Sequence, residues 1–137
     1  MMDSQTIERF ATMHEGGSLA TVKDQVRPMY AEAKGDDYLS KISDHLLGDV
    51  PIGVYPLWER NNVWMVDWVA VDLDEGDISG VHADNLQSLL KQMNITSWKE
   101  PSKSKGYHVW VYLKDPISAS IGRKAMIGAC RVVDVPI

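Results

Sequence analysis

The chain has 137 residues, a formal charge of −5 and one cysteine. That length suits one domain, or one domain with a helical extension, and the acidic balance argues against a protein that simply coats nucleic acid. No apolar run approaches the roughly 20 residues of a membrane span, and Met1-Met2-Asp3-Ser4 lacks the basic-then-apolar order of a signal peptide. Cys130 has no partner for an internal disulfide, so a reducing cytoplasm is expected.

Taken in chain order, residues 4–14 carry a helical pattern, with Ser4 as N-cap and Ile7, Phe10 and Ala11 on one face. Gly16-Gly17-Ser18 breaks it. Residues 19–34 carry only weak helical periodicity, interrupted by Pro28. Asp36-Asp37 opens a clearer helix with Leu39, Ile42 and Leu46 at helical spacing and Gly48 placed to end it. From Val50 the character changes. Residues 51–57 form a broken extended stretch, Asn61-Asn62 is a turn signal, and Val63 to Leu73 predicts a strand that Asp67 interrupts. His82 to Met93 predicts a helix with Leu86, Leu89, Leu90 and Met93 on one side. Ile95 to Glu100 predicts a short strand and Tyr107 to Leu113 a longer one. Asp115-Pro116 suggests the start of a helix over 117–130, and Arg131 to Ile137 a final strand.

This order implies an N-terminal helical and extended unit over 1–49, and over 50–137 an α+β unit with an antiparallel sheet and packed helices, similar to the RNA-recognition-motif layout. The apolar pattern at 131–137 stops without a turn, so the chain is expected to be a piece of a longer protein.

Two strings carry chemistry. The first is Asp72-Leu73-Asp74, at the end of the apolar run. Residues two apart on a strand share a face, so both carboxylates point one way and Leu73 points to the core. Paired carboxylates suit Mg²⁺, which takes a few such oxygens together with water and substrate phosphates. The second is Ser102-Lys103-Ser104-Lys105-Gly106-Tyr107-His108. It combines hydroxyls, ammonium groups, a glycine that admits close backbone approach, and an imidazole. Alternation sets His108, Trp110 and Tyr112 on one face and Val109, Val111 and Leu113 on the other. A hairpin that follows a strand-helix crossover brings His108 and the lysines towards Asp72 and Asp74. Acids gather at 67–77, and bases at Lys99, Lys103 and Lys105, then Arg123, Lys124 and Arg131. Such separation fits a metal site facing a phosphate site.

In these motifs the chain resembles the archaeo-eukaryotic primase superfamily, which includes small primase subunits and primase-polymerases. That family carries Asp-x-Asp or Asp-x-Glu on one strand and S-x-x-x-G-x-H, followed by an apolar residue and Trp, on a later one. S-K-S-K-G-Y-H-V-W matches the second pattern, and the wider W-K-E-P-S-K-S-K-G-Y-H-V-W-V-Y looks like phage and mobile-element versions. The resemblance covers about residues 50–137. It implies metal-dependent, template-directed nucleotidyl transfer with Mg²⁺ or Mn²⁺, an NTP or dNTP substrate, a single-stranded DNA template, and a helicase or further domains as partners. It implies that Asp72 and Asp74 hold metal, that Ser102, Ser104, Lys105 and His108 bind the triphosphate, and that Asp134 is the candidate third acid.

Two other readings stand beside it. The α+β unit could be a non-catalytic module that binds single strands through Trp110 and Tyr112. V-A-V-D-L-D-E-G also resembles the first motif of dehalogenase-type phosphatases, with Asp72 as nucleophile, although Glu75, Gly76 and Asp77 depart from that family's pattern.

Overall fold

The computed structural model describes residues 2–16, 19–22, 30–33, 36–102 and 105–137, with side chains throughout except at 19–22 and 30–33. The chain divides into two compact units, Met1–Arg60 and Asn61–Ile137. The architecture is α+β, with helices and antiparallel sheets. No helix among the described residues is long and apolar enough to cross a membrane.

The first unit holds helices α1 (Ser4–His14) and α2 (Asp36–Leu46) and strands β1 (Leu19–Val22), β2 (Tyr30–Ala33) and β3 (Ile52–Val54), and its last residues, Trp58–Arg60, form β4. The N-cap of α1 is Asp3, not Ser4: its carboxylate accepts from the Thr6 N–H at 2.9 Å and the Thr6 hydroxyl at 2.8 Å. Buried Ala11 and Ile42 join the two helices through Ile7, Phe10, Tyr38 and Leu46. The weak helical reading of 19–34 is overturned at 19–22 and 30–33, and its remainder lies outside the described residues. Leu19 pairs antiparallel with Ala33 on one side and with Val54 on the other, in the sheet order β2-β1-β3. A central strand paired on both edges gains more than a marginal, proline-interrupted helix could.

Strand β4 (Trp58–Arg60) leads through Asn61-Asn62 into β5 (Val63–Leu73). Both asparagines have positive φ, 50° and 62°, the geometry of a type I′ hairpin turn. The 3₁₀ turn Gly76–Ile78 and helix α3 (Ser79–Gln92) follow, then β6 (Trp98–Pro101), β7 (Tyr107–Ser118) and α4 (Ala119–Val132). The sheet order is β4-β5-β7-β6. Helices α3 and α4 lie on one face. Val71, Leu73, Val109 and Val111 meet Ala83, Leu86 and Leu90 of α3 and Met126, Ala129 and Cys130 of α4 in one buried cluster. Burial accordingly raises the Cys130 thiol pKa.

Boundaries differ from the sequence expectation: β6 begins at Trp98 rather than Ile95, and three further differences have a visible cause. Helix α3 begins at Ser79 rather than His82, because Ser79, fully buried, accepts from the Glu75 N–H at 2.8 Å and sets the first turn. Asp115-Pro116 does not start a helix. β7 runs through it to pair Ile117 with Val66 and Ser118 with Met65, and the N-cap of α4 is Ser118, which accepts from the Ile121 N–H at 3.2 Å. Pro116 is tolerated because the register shifts there: Asp67 and residues 113–116 fall between the pairs Val66↔Ile117 and Trp68↔Tyr112, where a missing N–H breaks no ladder bond. The final strand expected over Arg131–Ile137 is also absent. α4 continues to Val132, Asp134 takes a left-handed φ of 55°, and the Val135 N–H bonds back to the Cys130 carbonyl at 2.8 Å. That is a Schellman cap, with Val135 buried under it. Asn94 ends α3 the same way, with Ile95 bonded to Leu90 at 2.8 Å. At the end of α2 Gly48, with φ 86°, precedes an Asp49 bonded to Asp44 at 2.9 Å.

Candidate functional site

β5 and β7 run antiparallel, and their register sets Asp72 directly opposite His108 and Leu73 opposite Tyr107. The two chemical strings therefore end side by side on neighbouring strands. Leu73 is buried, so Asp72 projects from the opposite face, away from α3 and α4. His108 projects from that same face, because Val109 beside it is fully buried on the helix side. Asp74 follows as the first residue beyond β5.

The turn between β6 and β7 is closed by the Ser102 N–H donating to the Gly106 carbonyl at 2.9 Å. Gly106 packs so tightly on the end of β5 that a Cβ there would stand 2.5 Å from the Leu73 carbonyl oxygen and 2.8 Å from Ser102 Oγ. It would also lie 3.5 Å from Asp74 Oδ1. Only glycine permits this approach, which brings Ser102 to the acid end of β5. Lys105 has a left-handed φ of 58°, and its Nζ lies 3.7 Å from Asp77 Oδ1. Both groups are well exposed, so the pair adds little stability. Lys103 and Ser104 lie outside the described residues.

His108 sits between two carboxylates. Its Nδ1 is 2.7 Å from Glu100 Oε1, and its Nε2 is 3.6 Å from Asp72 Oδ1. The first distance is a hydrogen bond and the second is too long for one. The ring is one-third exposed, and Asp72 and Glu100 more so. Along the same face Trp110 stacks parallel to Tyr112 with centroids 6.1 Å apart, and Trp68 tilts against Trp110 at 4.9 Å. Partial burial, with a smaller contribution from the Glu100 charge, pushes the Tyr112 pKa up to about 12.

Glu100 was missed by the sequence reading. The signal was present: a hairpin with Ser102–Gly106 as its loop sets Pro101 against Tyr107 and Glu100 against His108, which is the observed register. Two expected members lie elsewhere. Lys99 points to the helix side, where its Nζ bonds Asp84 at 2.7 Å and lies 5.2 Å from the Tyr107 ring centroid. The Asp84 hydrogen bond raises the Lys99 pKa. Asp134 caps α4 and borders a hollow with Asn85, Ser88, Leu89 and Gln92 of α3. It does not join Asp72 and Asp74, and no group of three or more His, Cys, Asp or Glu among the described residues is arranged to hold a metal ion. The remaining donor set, two exposed carboxylates, still fits a hard cation that completes its shell with water and phosphate oxygens.

A family model, described as the archaeo-eukaryotic primase domain of the TOTE conflict system, matches residues 23–131. The chain belongs to that family. The match spans the acidic string, α3, the β6-β7 hairpin and nearly all of α4, and it places the chain in a primase-like nucleotidyltransferase superfamily. No curated protein matches the sequence.

Proposed function

We propose that this chain carries the nucleotide-transfer site of a primase-polymerase, which extends a strand by template-directed addition of an NTP or dNTP. The observation that supports this most strongly is the pairing of Asp72 with His108 across β5 and β7, with Gly106 packed against Leu73, Ser102 and Asp74 at the acid end.

In this reading Asp72 and Asp74 hold Mg²⁺ or Mn²⁺. The bound cation supplies positive charge where negative charge develops on the α-phosphate and the departing pyrophosphate. His108, Lys105 and Ser102 grip the triphosphate, with Ser104 as a further hydroxyl. The growing strand's 3′-oxygen bonds to the α-phosphorus as the bond to the pyrophosphate oxygen breaks, and the hydroxyl proton passes to water. The side chains contribute position and charge rather than covalent chemistry. Exposure suits the task, because Asp72 must reach a cation and a substrate that arrive from solvent. Asp72 is thus a metal ligand here, not the nucleophile of a phosphatase. Single-stranded DNA would be the template, and a helicase or further domains the partners.

The test is primer synthesis on single-stranded templates with NTP and dNTP pools, using the whole chain. Activity with Mg²⁺ or Mn²⁺ that disappears in Asp72→Asn supports the reading. Equal failure of wild type and Asp72→Asn under conditions where both are folded overturns it.

A further inference from the structure

Glu100 is the closest polar neighbour of His108, and neither the motif pattern nor the family match gives it a task. We infer that Glu100 is a positioning residue that fixes the ring of His108 for the triphosphate, an inference that rests on the nucleotide-transfer reading above.

The geometry carries the argument. Glu100 and His108 are cross-strand partners on β6 and β7, and Asp72 is the partner of His108 on β5. The imidazole therefore lies in the middle of a three-strand row, with a carboxylate on each side. The contacts are unequal: 2.7 Å from Nδ1 to Glu100 Oε1 and 3.6 Å from Nε2 to Asp72 Oδ1. A carboxylate accepts only, so Nδ1 must carry the proton of the short bond. With Nδ1–H committed to Glu100, Nε2 is the nitrogen turned towards the acid end of β5. In the complex, the bond to Glu100 would hold the ring plane, so that the Nε2 edge is presented to the triphosphate. A carboxylate that fixes the tautomer and plane of a working histidine is a recurrent arrangement, and where it supports a metal-binding histidine its loss commonly lowers affinity or activity about 10- to 100-fold. Trp110 guards the ring from one side, edge-on with centroids 6.2 Å apart, but offers no acceptor for Nδ1.

Because Glu100 is more than half exposed, its removal should hardly alter folding. That makes Glu100→Ala a clean probe. Long-range ¹H–¹⁵N spectra of the whole chain with labelled histidine, assigned by the loss of signal in His108→Ala, read the tautomer without any ligand. Wild type should show the proton on Nδ1. Glu100→Ala should shift that proton towards Nε2 and weaken ATP or dATP binding, with Mn²⁺ present, about tenfold at an unchanged melting temperature. Glu100→Asp should recover part of both.

A wild type that binds nucleotide, with tautomer and affinity unchanged in Glu100→Ala, overturns the role of Glu100 alone. A wild type that binds no nucleotide, yet loses its Nδ1–H form in Glu100→Ala, overturns the nucleotide reading and leaves Glu100 as the group that orients His108.

Discussion

Val109 and His108 are adjacent on β7, yet one is fully buried and the other faces solvent between two carboxylates. The same contrast runs along β5, where Val71 and Leu73 are buried while Asp72 is largely exposed. One face of these strands carries the packing against α3 and α4. The other carries charge, imidazole and stacked rings. Strand alternation lets one stretch of chain do both, so stability and chemistry should be separable by substitution at neighbouring positions.

The largest effect should come from the packed face. Leu86 is fully buried under the sheet, and Leu86→Ala should cost about 2–5 kcal/mol of stability. Urea denaturation would show this as a lower midpoint at an unchanged slope. A comparable loss from Asp72→Ala would break the comparison, because that carboxylate is three-quarters exposed.

On the polar face, Asp72→Ala should lower metal-dependent nucleotide incorporation by about 10²- to 10³-fold while leaving the denaturation midpoint near that of wild type. Gly106 joins the two faces, since it seats the loop on the Leu73 backbone. Gly106→Ala should cost about 1–3 kcal/mol, because a carbonyl oxygen 2.5 Å from the new Cβ has to move. It should also weaken nucleotide binding, as the loop lifts from the acids. Both losses together would mark it as the hinge between packing and chemistry; unchanged stability would show that the loop is free to shift.

The smallest effect is one of pH. Partial burial pushes the Tyr112 and Tyr38 pKa values up to about 12 from an ordinary 10. Each therefore contributes stability that is present in full below pH 10 and is lost as pH rises from 10 through 12, because the unfolded chain ionises first. Melting temperatures should fall across that window, and less steeply in Tyr112→Phe. A flat profile would show that the two phenols are better solvated than the structure implies.

Much of this was legible in the sequence. Val63–Leu73 emerged with the expected bounds, because continuous β-branched and aromatic residues ending in acids leave few alternatives. The approach of His108 to Asp72 followed from alternation and topology. What was not legible depended on partners distant in the chain. Residues 19–22 and 30–33 become strands only through each other and through β3. The extension of β7 through Pro116 depends on the register shift opposite Asp67. Arg131–Ile137 reads as a strand until the helix before it is long enough to need a cap, and Asp134 supplies the left-handed residue. The role of Glu100 arises from hairpin register, which no motif letter carries.

The central claim is that the two strings form one site. The most direct test is calorimetric titration of a nucleoside triphosphate, with and without Mg²⁺ or Mn²⁺, into wild type, Asp72→Ala and His108→Ala. The account predicts metal-dependent binding to wild type that both variants lose while remaining folded. Binding that needs no metal, or that survives both substitutions, would contradict it.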